Sequence, residues 1–204
     1  MAGLTMPRIG LFGGTFDPPH VGHLILAGEA QTSLQLDKVL WILTPQSPLK
    51  DRSGISPSQQ RIELLRAALH NSLGFELSLV DVNRKPPFYA LDTVNLLKEA
   101  TPDAKFFYVM GGDSLKNLPS WYKSEELVRK LDGFGVYQRP GAEHDIDLLD
   151  RELPGIKEKV TYFSAPQIDI SSADIRQRIL EGRTYRYFLT PGVYELIQSR
   201  KYYR

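Results

Sequence analysis

Gly13-Gly14-Thr15-Phe16-Asp17-Pro18-Pro19-His20-Val21-Gly22-His23-Leu24 is the stretch from which the rest of the chain can be read. It follows a strand-like run, Arg8 to Phe12. It leads into apolar residues at helical spacing, with Leu24, Ala27 and Leu34 between His23 and about Leu34. Strand, glycine turn and helix together open a βαβ unit. Paired glycines permit φ > 0 and let backbone N–H groups come close to an anion. His20 and His23, three residues apart at a helix start, share one face, and the helix N-terminus adds partial positive charge. The expected site is a phosphate cradle with two imidazole donors, whose pKa values a bound polyphosphate raises. The same spacing occurs in zinc sites. Here, however, the chain has no cysteine, and no nearby third ligand beyond Asp17 completes a tetrahedral set.

Outward from this stretch, short β-rich runs alternate with amphipathic ones. Strands are predicted at Lys38–Leu43, Phe75–Val80, Lys105–Met110, Gly133–Tyr137 and Val160–Ser164. Helices are predicted from Ser56-Pro57 to about His70, with Pro57 suited to the first helical position, and at Tyr89–Ala100, Ser124–Leu131, Ser172–Glu181 and Pro191–Ser199. Glu143 to Gly155 is acidic and reads as an exposed excursion. The pattern specifies an α/β fold: a Rossmann-like, doubly wound, mostly parallel sheet with helices on both faces. Residues 1–204 form a single domain in this reading, with a C-terminal helical portion from about 165. Ligands in such sheets sit beyond the carboxyl ends of the strands, near a switch in strand order. The loops after the first, fourth and last strands are therefore the candidates.

Bulk properties narrow the partners. The chain has 204 residues, 42% of them hydrophobic and 24% charged, enough for a sizeable core without disulfide or metal staples. A net charge of +1 argues against a nucleic-acid partner, so any anion site is local. The absence of cysteine fits a reducing compartment. No apolar run approaches the roughly 20 residues that cross a bilayer. The expectation is a cytoplasmic protein without a membrane partner.

Three further motifs fall at the expected loops. Ile170-Ser171-Ser172-Ala173-Asp174-Ile175-Arg176 follows the last strand; Ser171 or Ser172 is a helix N-cap, and Asp174 suits the first turn. That structural role explains everything except Arg176. Gly111-Gly112-Asp113-Ser114 follows the fourth strand, where an acid can cap a helix or accept from ribose hydroxyls. Pro119-Ser120-Trp121-Tyr122 offers two adjacent aromatic faces, usable as core or as a stacking platform.

The stretch Gly13 to Leu24 resembles the HxGH signature of the nucleotidyltransferase superfamily, and in particular the bacterial nicotinate-mononucleotide adenylyltransferases. The resemblance runs from Ile9 to the end of the chain and is weak between Glu143 and Lys159. It implies that AMP passes from ATP to nicotinate mononucleotide, giving nicotinate adenine dinucleotide and pyrophosphate in NAD biosynthesis. His20, His23 and Arg176 are implied as catalytic. Gly13, Gly14, Thr15, Phe16, Gly111, Asp113, Ile170, Ser171 and Ser172 join them in binding ATP. Thr15, Lys50, Tyr89, Thr93, Trp121 and Tyr122 are implied for the mononucleotide, with the last two holding the nicotinate ring. Lys50 otherwise reads as a solvated loop charge. The chain departs from the family at Leu49, where histidine is common, and at Ala173, where threonine is. Mg2+ is expected to arrive with ATP and to keep mostly water and phosphate ligands. The sequence leaves a homo-oligomer open.

Two rival readings stand beside this one, the first within the same superfamily and the second from a different class. A transferase of the same superfamily acting on phosphopantetheine or a polyol phosphate lacks the need for Trp121 and Tyr122. A non-catalytic nucleotide sensor has no need to keep His20, His23 and Arg176 together.

Overall fold

Strands buried on both faces need apolar side chains in both directions, and Val39–Leu43 supplies them without a break. The computed structural model describes residues 6–46, 54–138 and 145–204. In chain order these form β1 (Arg8–Gly14), α1 (Val21–Ser33), β2 (Lys38–Leu43), α2 (Ser58–Leu69), β3 (Phe75–Ser78), α3 (Ala90–Ala100), β4 (Lys105–Gly111) and α4 (Gly112–Lys116). There follow α5 (Ser124–Lys130), β5 (Gly133–Tyr137), α6 (Ile146–Glu152), α7 (Ile156–Lys159), β6 (Val160–Phe163), α8 (Ser172–Leu180) and α9 (Pro191–Arg200). The sheet order is β3-β2-β1-β4-β5-β6, and every neighbouring pair is parallel.

The period-2 alternation of the strands divides the core. Ile9, Leu11, Leu40, Ile42, Phe106 and Phe134 face the layer of α3, α5 and α6. Phe12, Val39, Trp41, Leu43, Phe107 and Val109 face α1 and α2. Helix α2 is apolar on two sides. Ile62, Leu65 and Leu69 meet the sheet, while Leu64 and Ala68 meet Ile175 and Ile179 of α8 and Val193 and Ile197 of α9. Each such buried aliphatic side chain contributes roughly 1.5–3 kcal/mol of burial energy.

Several sequence expectations change in detail. Pro57 is the N-cap of α2 and not its first helical residue. The stretch expected as an exposed excursion, as far as it lies within the described residues, contains α6. Asp145 caps that helix by accepting from the Leu148 N–H, and Leu149, Leu153 and Ile156 are buried. Leu149 and Leu153 are four residues apart, one helical turn, and the surrounding acidic residues mask that spacing. Helix α4 starts directly at the end of β4, with Gly111 as N-cap.

Chain direction decides where a site can open. From β1 the chain moves outward to β2 and β3, then returns to the other side of β1 for β4. The crossovers therefore diverge between β1 and β4, leaving a crevice at their carboxyl ends. Gly13-Gly14 and Gly111-Gly112 both lie there.

Candidate active site

Gly13 and Gly14 belong to β1, and neither has positive φ. The turn comes two residues later, at Phe16, which takes φ +47 although it is not glycine. That conformation costs on the order of 1–3 kcal/mol, and it is held by burial of the Phe16 ring against Phe12 and Trp41. Gly14 serves a steric purpose instead: a Cβ there would lie 2.8 Å from the Phe16 ring.

His20 is the N-cap of α1 and His23 its third residue. Their rings stack with centroids 3.6 Å apart and planes at 27°. The His20 backbone N–H donates to Nδ1 of His23 at 3.2 Å, which places the proton of a neutral His23 ring on Nε2. Phe16 packs edge-on to His23 at 5.2 Å. Burial pushes the His20 imidazole down to about 4. Burial first, and then proximity to His20, holds His23 well below its ordinary value. Nδ1 of His20 is buried and has no hydrogen-bond partner among the described residues. The first turn of α1 contains no acidic residue. Paired imidazoles and free N-terminal N–H groups thus face the crevice with nothing anionic in that turn to neutralise them, an arrangement suited to a phosphate.

Gly22, between the two histidines, lies close against the His20 ring. A Cβ at this position would lie 3.1 Å from Nδ1 and 3.3 Å from Cε1 of that ring.

The loop before α8 docks on the first loop. Ser171 caps α8, its Oγ accepting from the Asp174 N–H at 3.0 Å. Ser172 Oγ donates to the Pro18 carbonyl at 2.8 Å, and Arg176 Nη1 donates to the Asp17 carbonyl at 2.7 Å. A groove of about 350 Å³ separates His20, His23 and Leu26 from Tyr137 and the segment Pro166–Ile170. The structure therefore brings His20, His23, Ile170, Ser172 and Arg176 to one place. Asp113, in the first turn of α4, stands exposed beyond β4 across the crevice.

Tyr89, Thr93, Trp121 and Tyr122 form a second cluster. Tyr89 and Tyr122 stack at 4.2 Å with an interplanar angle of 18°. Trp121 meets Tyr108 edge-on at 5.7 Å. Thr93 is buried, its hydroxyl donating to Asp81 at 2.7 Å, and Arg84 ties Asp81 to the Pro87 and Tyr89 carbonyls. Lys50 lies outside the described residues.

Arg61 and Tyr203, which sequence reasoning passed over, hold the first loop together with Asp17. Arg61, 1% exposed, donates to the carbonyls of Thr15, Thr44, Pro45 and Ser56 and to Ser58 Oγ. Burial lowers its pKa, opposed by Asp17 and Tyr203. Asp17 accepts from the Ser56 N–H at 2.9 Å and from the Tyr203 hydroxyl at 2.7 Å. Only an arginine at a helix position otherwise expected to be solvated signals this network in the sequence.

Comparison with known proteins adds to this geometry. The sequence pattern of the cytidylyltransferase-like family matches residues 11–178. A probable nicotinate-nucleotide adenylyltransferase of Shouchella clausii is 39% identical over 198 residues, covering 97% of both chains. One from Thermomicrobium roseum is 40% identical over 199 residues, covering 98% of this chain and 92% of its own. The solved structure of Plasmodium falciparum nicotinic acid mononucleotide adenylyltransferase complexed with NaAD shares the fold, with a TM-score of 0.74, 18% identity and 97% coverage of each chain.

Proposed function

The chain belongs to the cytidylyltransferase-like family, among its nicotinate-nucleotide adenylyltransferases, and we propose that it transfers AMP from ATP to nicotinate mononucleotide. The products are nicotinate adenine dinucleotide and pyrophosphate, a step of NAD biosynthesis. The observation that carries this reading is the stacked pair His20 and His23 at the start of α1, facing the carboxyl-end crevice with Arg176 alongside.

The reaction needs no side-chain nucleophile. A phosphate oxygen of the mononucleotide attacks the α-phosphorus of ATP in line, a new P–O bond forms, and the bond to the β-phosphate oxygen breaks as pyrophosphate departs. The protein positions the two anions and stabilises charge on the transferring phosphoryl group. His23 Nε2–H and the His20 ring donate to the α/β region. Among the described residues Arg176 donates through Nη1 to the Asp17 carbonyl, which leaves its other N–H groups for the β/γ end. The Ser172 hydroxyl is committed to Pro18 and acts by holding α8 against the first loop. The groove beside Tyr137 and Ile168 takes the adenosine part. Asp113 is placed to accept from ribose hydroxyls. Tyr89, Trp121 and Tyr122 offer π faces to the pyridine ring, and Thr93, its hydroxyl bonded to Asp81, acts by holding the start of α3 beneath Tyr89.

Mg2+ accompanies ATP in this reading, as a charge screen with phosphate and water ligands. The described residues contain no group of three or more His, Asp or Glu side chains that could hold an ion. The reaction is placed in the cytoplasm, where both nucleotides are available, without a nucleic-acid or membrane partner.

The deciding assay is pyrophosphate release from Mg-ATP with nicotinate mononucleotide, nicotinamide mononucleotide and phosphopantetheine as acceptors. Preference for nicotinate mononucleotide is expected. Turnover with phosphopantetheine alone would keep the chemistry and reject the substrate, and release with no acceptor would reject the activity.

A further inference from the structure

The four residues after α9 make a turn that needs an explanation. Lys201 and Tyr203 both take positive φ, +54 and +63, a conformation unfavourable for residues with a Cβ. Segments of this kind ordinarily fray. Here two hydroxyls tie it down, Tyr202 to Glu63 Oε2 at 2.8 Å and Tyr203 to Asp17 Oδ1 at 2.7 Å. The first bond joins the segment to the side of α2. The second reaches into the loop that carries the phosphate cradle, onto a carboxylate only 3% exposed.

Asp17 is the point on which that loop is fixed. Its Oδ2 accepts from the Ser56 N–H and lies 4.0 Å from Arg176 Nη1, while its carbonyl accepts from the same Nη1. Resting on the ATP site assigned above, we infer that Tyr203 is a positioning residue. Its hydroxyl fixes the rotamer of the Asp17 carboxylate, which sets Arg176 for the β/γ-phosphates of ATP. Without that bond, Oδ1 is buried with one fewer donor and the carboxylate turns towards Arg176. The guanidinium is then drawn onto a full ion pair and away from the triphosphate. Burial and the neighbouring Asp17 push the Tyr203 hydroxyl pKa upward, so it stays protonated and remains a donor.

Tyr203→Phe removes the bond and keeps the ring. Its KM for ATP is expected to rise about 3- to 10-fold, with KM for the mononucleotide unchanged, as coupling through one intervening residue allows. The Kd of a non-hydrolysable ATP analogue, measured by calorimetry, is expected to rise in step. Tyr202→Phe, which loosens the same segment without touching Asp17, serves as the control and is expected to leave both constants at wild-type values. Unchanged constants in Tyr203→Phe, or equal weakening in Tyr202→Phe, would overturn the inference. Wild-type turnover in the same assay tests the activity separately, and the analogue Kd is readable whichever acceptor the enzyme uses.

Discussion

His20 and His23 lie face to face, centroids 3.6 Å apart, while the backbone N–H of the first donates into Nδ1 of the second. Two imidazolium ions at that separation repel each other, and both rings are withdrawn from water, so the resting pair is neutral. The stack is therefore set to gain protons when an anion arrives.

This has a consequence for stability. The folded-state pKa of His20 is about 4 against an ordinary 6.5. Between these values the unfolded chain binds a proton that the folded chain excludes. The His20 contribution is fully present above about pH 6.5 and is lost as pH falls through 4. The loss amounts to about 3 kcal/mol from His20 alone. Urea unfolding at pH 7.5 and pH 4.5 checks it, and His20→Asn is expected to show the shallower decline. Parallel curves for the two proteins would contradict the neutral stack.

His23→Ala removes the better-held donor. Loss of a single donor to a transferring group lowers turnover by roughly 10²–10³. Steady-state kcat with saturating Mg-ATP and nicotinate mononucleotide measures it; near wild-type kcat would remove His23 from the chemistry.

Gly22→Ala separates stability from activity. Alanine gains roughly 0.8–1.0 kcal/mol in helix propensity over glycine, but the new Cβ presses on the His20 ring at 3.1 Å. The ring yields by a few tenths of an ångström, and displaced donors lose transition-state stabilisation. The expected variant melts at or above the wild-type temperature and turns over at least about tenfold more slowly, equivalent to about 1.4 kcal/mol. A thermal melt beside a kcat measurement decides it.

Much of this architecture was legible in the sequence, and the misses share a cause. The strand runs at Lys38–Leu43 and Gly133–Tyr137 stand at their predicted limits because buried parallel strands are apolar throughout. The His20 and His23 pair was readable because three-residue spacing at a helix start fixes a shared face. Helix α6 was missed because acidic residues between Ile146, Leu149 and Leu153 obscure its apolar stripe. Arg61 was missed because its partners are backbone carbonyls from four positions spread across the loops. Backbone acceptors are present at every residue, so no sequence pattern marks which ones a buried guanidinium will reach. The Tyr203 to Asp17 bond spans 186 positions, and only the packing of α2 against α9 brings the two together.

Arg61 offers a graded test of that network. Arg61→Met leaves the carbonyls of Thr15, Thr44, Pro45 and Ser56 short of a donor in a buried place, at a cost of about 3–5 kcal/mol. Arg61→Lys keeps the charge but offers three donors where five bonds are made, and is expected to lose about 1–3 kcal/mol. The order of urea midpoints should run wild type, Lys, Met. A Lys variant with the wild-type midpoint would mean that charge, and not the fork of donors, is what the loop requires; equal midpoints for the two variants would mean that the charge alone contributes nothing.

Tyr122 tests the aromatic side of the site. At 4.2 Å from Tyr89, its ring leaves no space for a third ring between them. An incoming pyridine ring either covers the outer face of Tyr122, which is 45% exposed, or displaces it. In both cases removing the ring withdraws a stacking partner worth about 0.5–1.5 kcal/mol. Tyr122→Ala is expected to raise KM for nicotinate mononucleotide about 3- to 10-fold while leaving KM for ATP and the melting temperature near wild type. A matching rise in KM for ATP would place the tyrosine pair on the adenosine side, and no change in either constant would leave the pair as packing between α3 and the loop before α5.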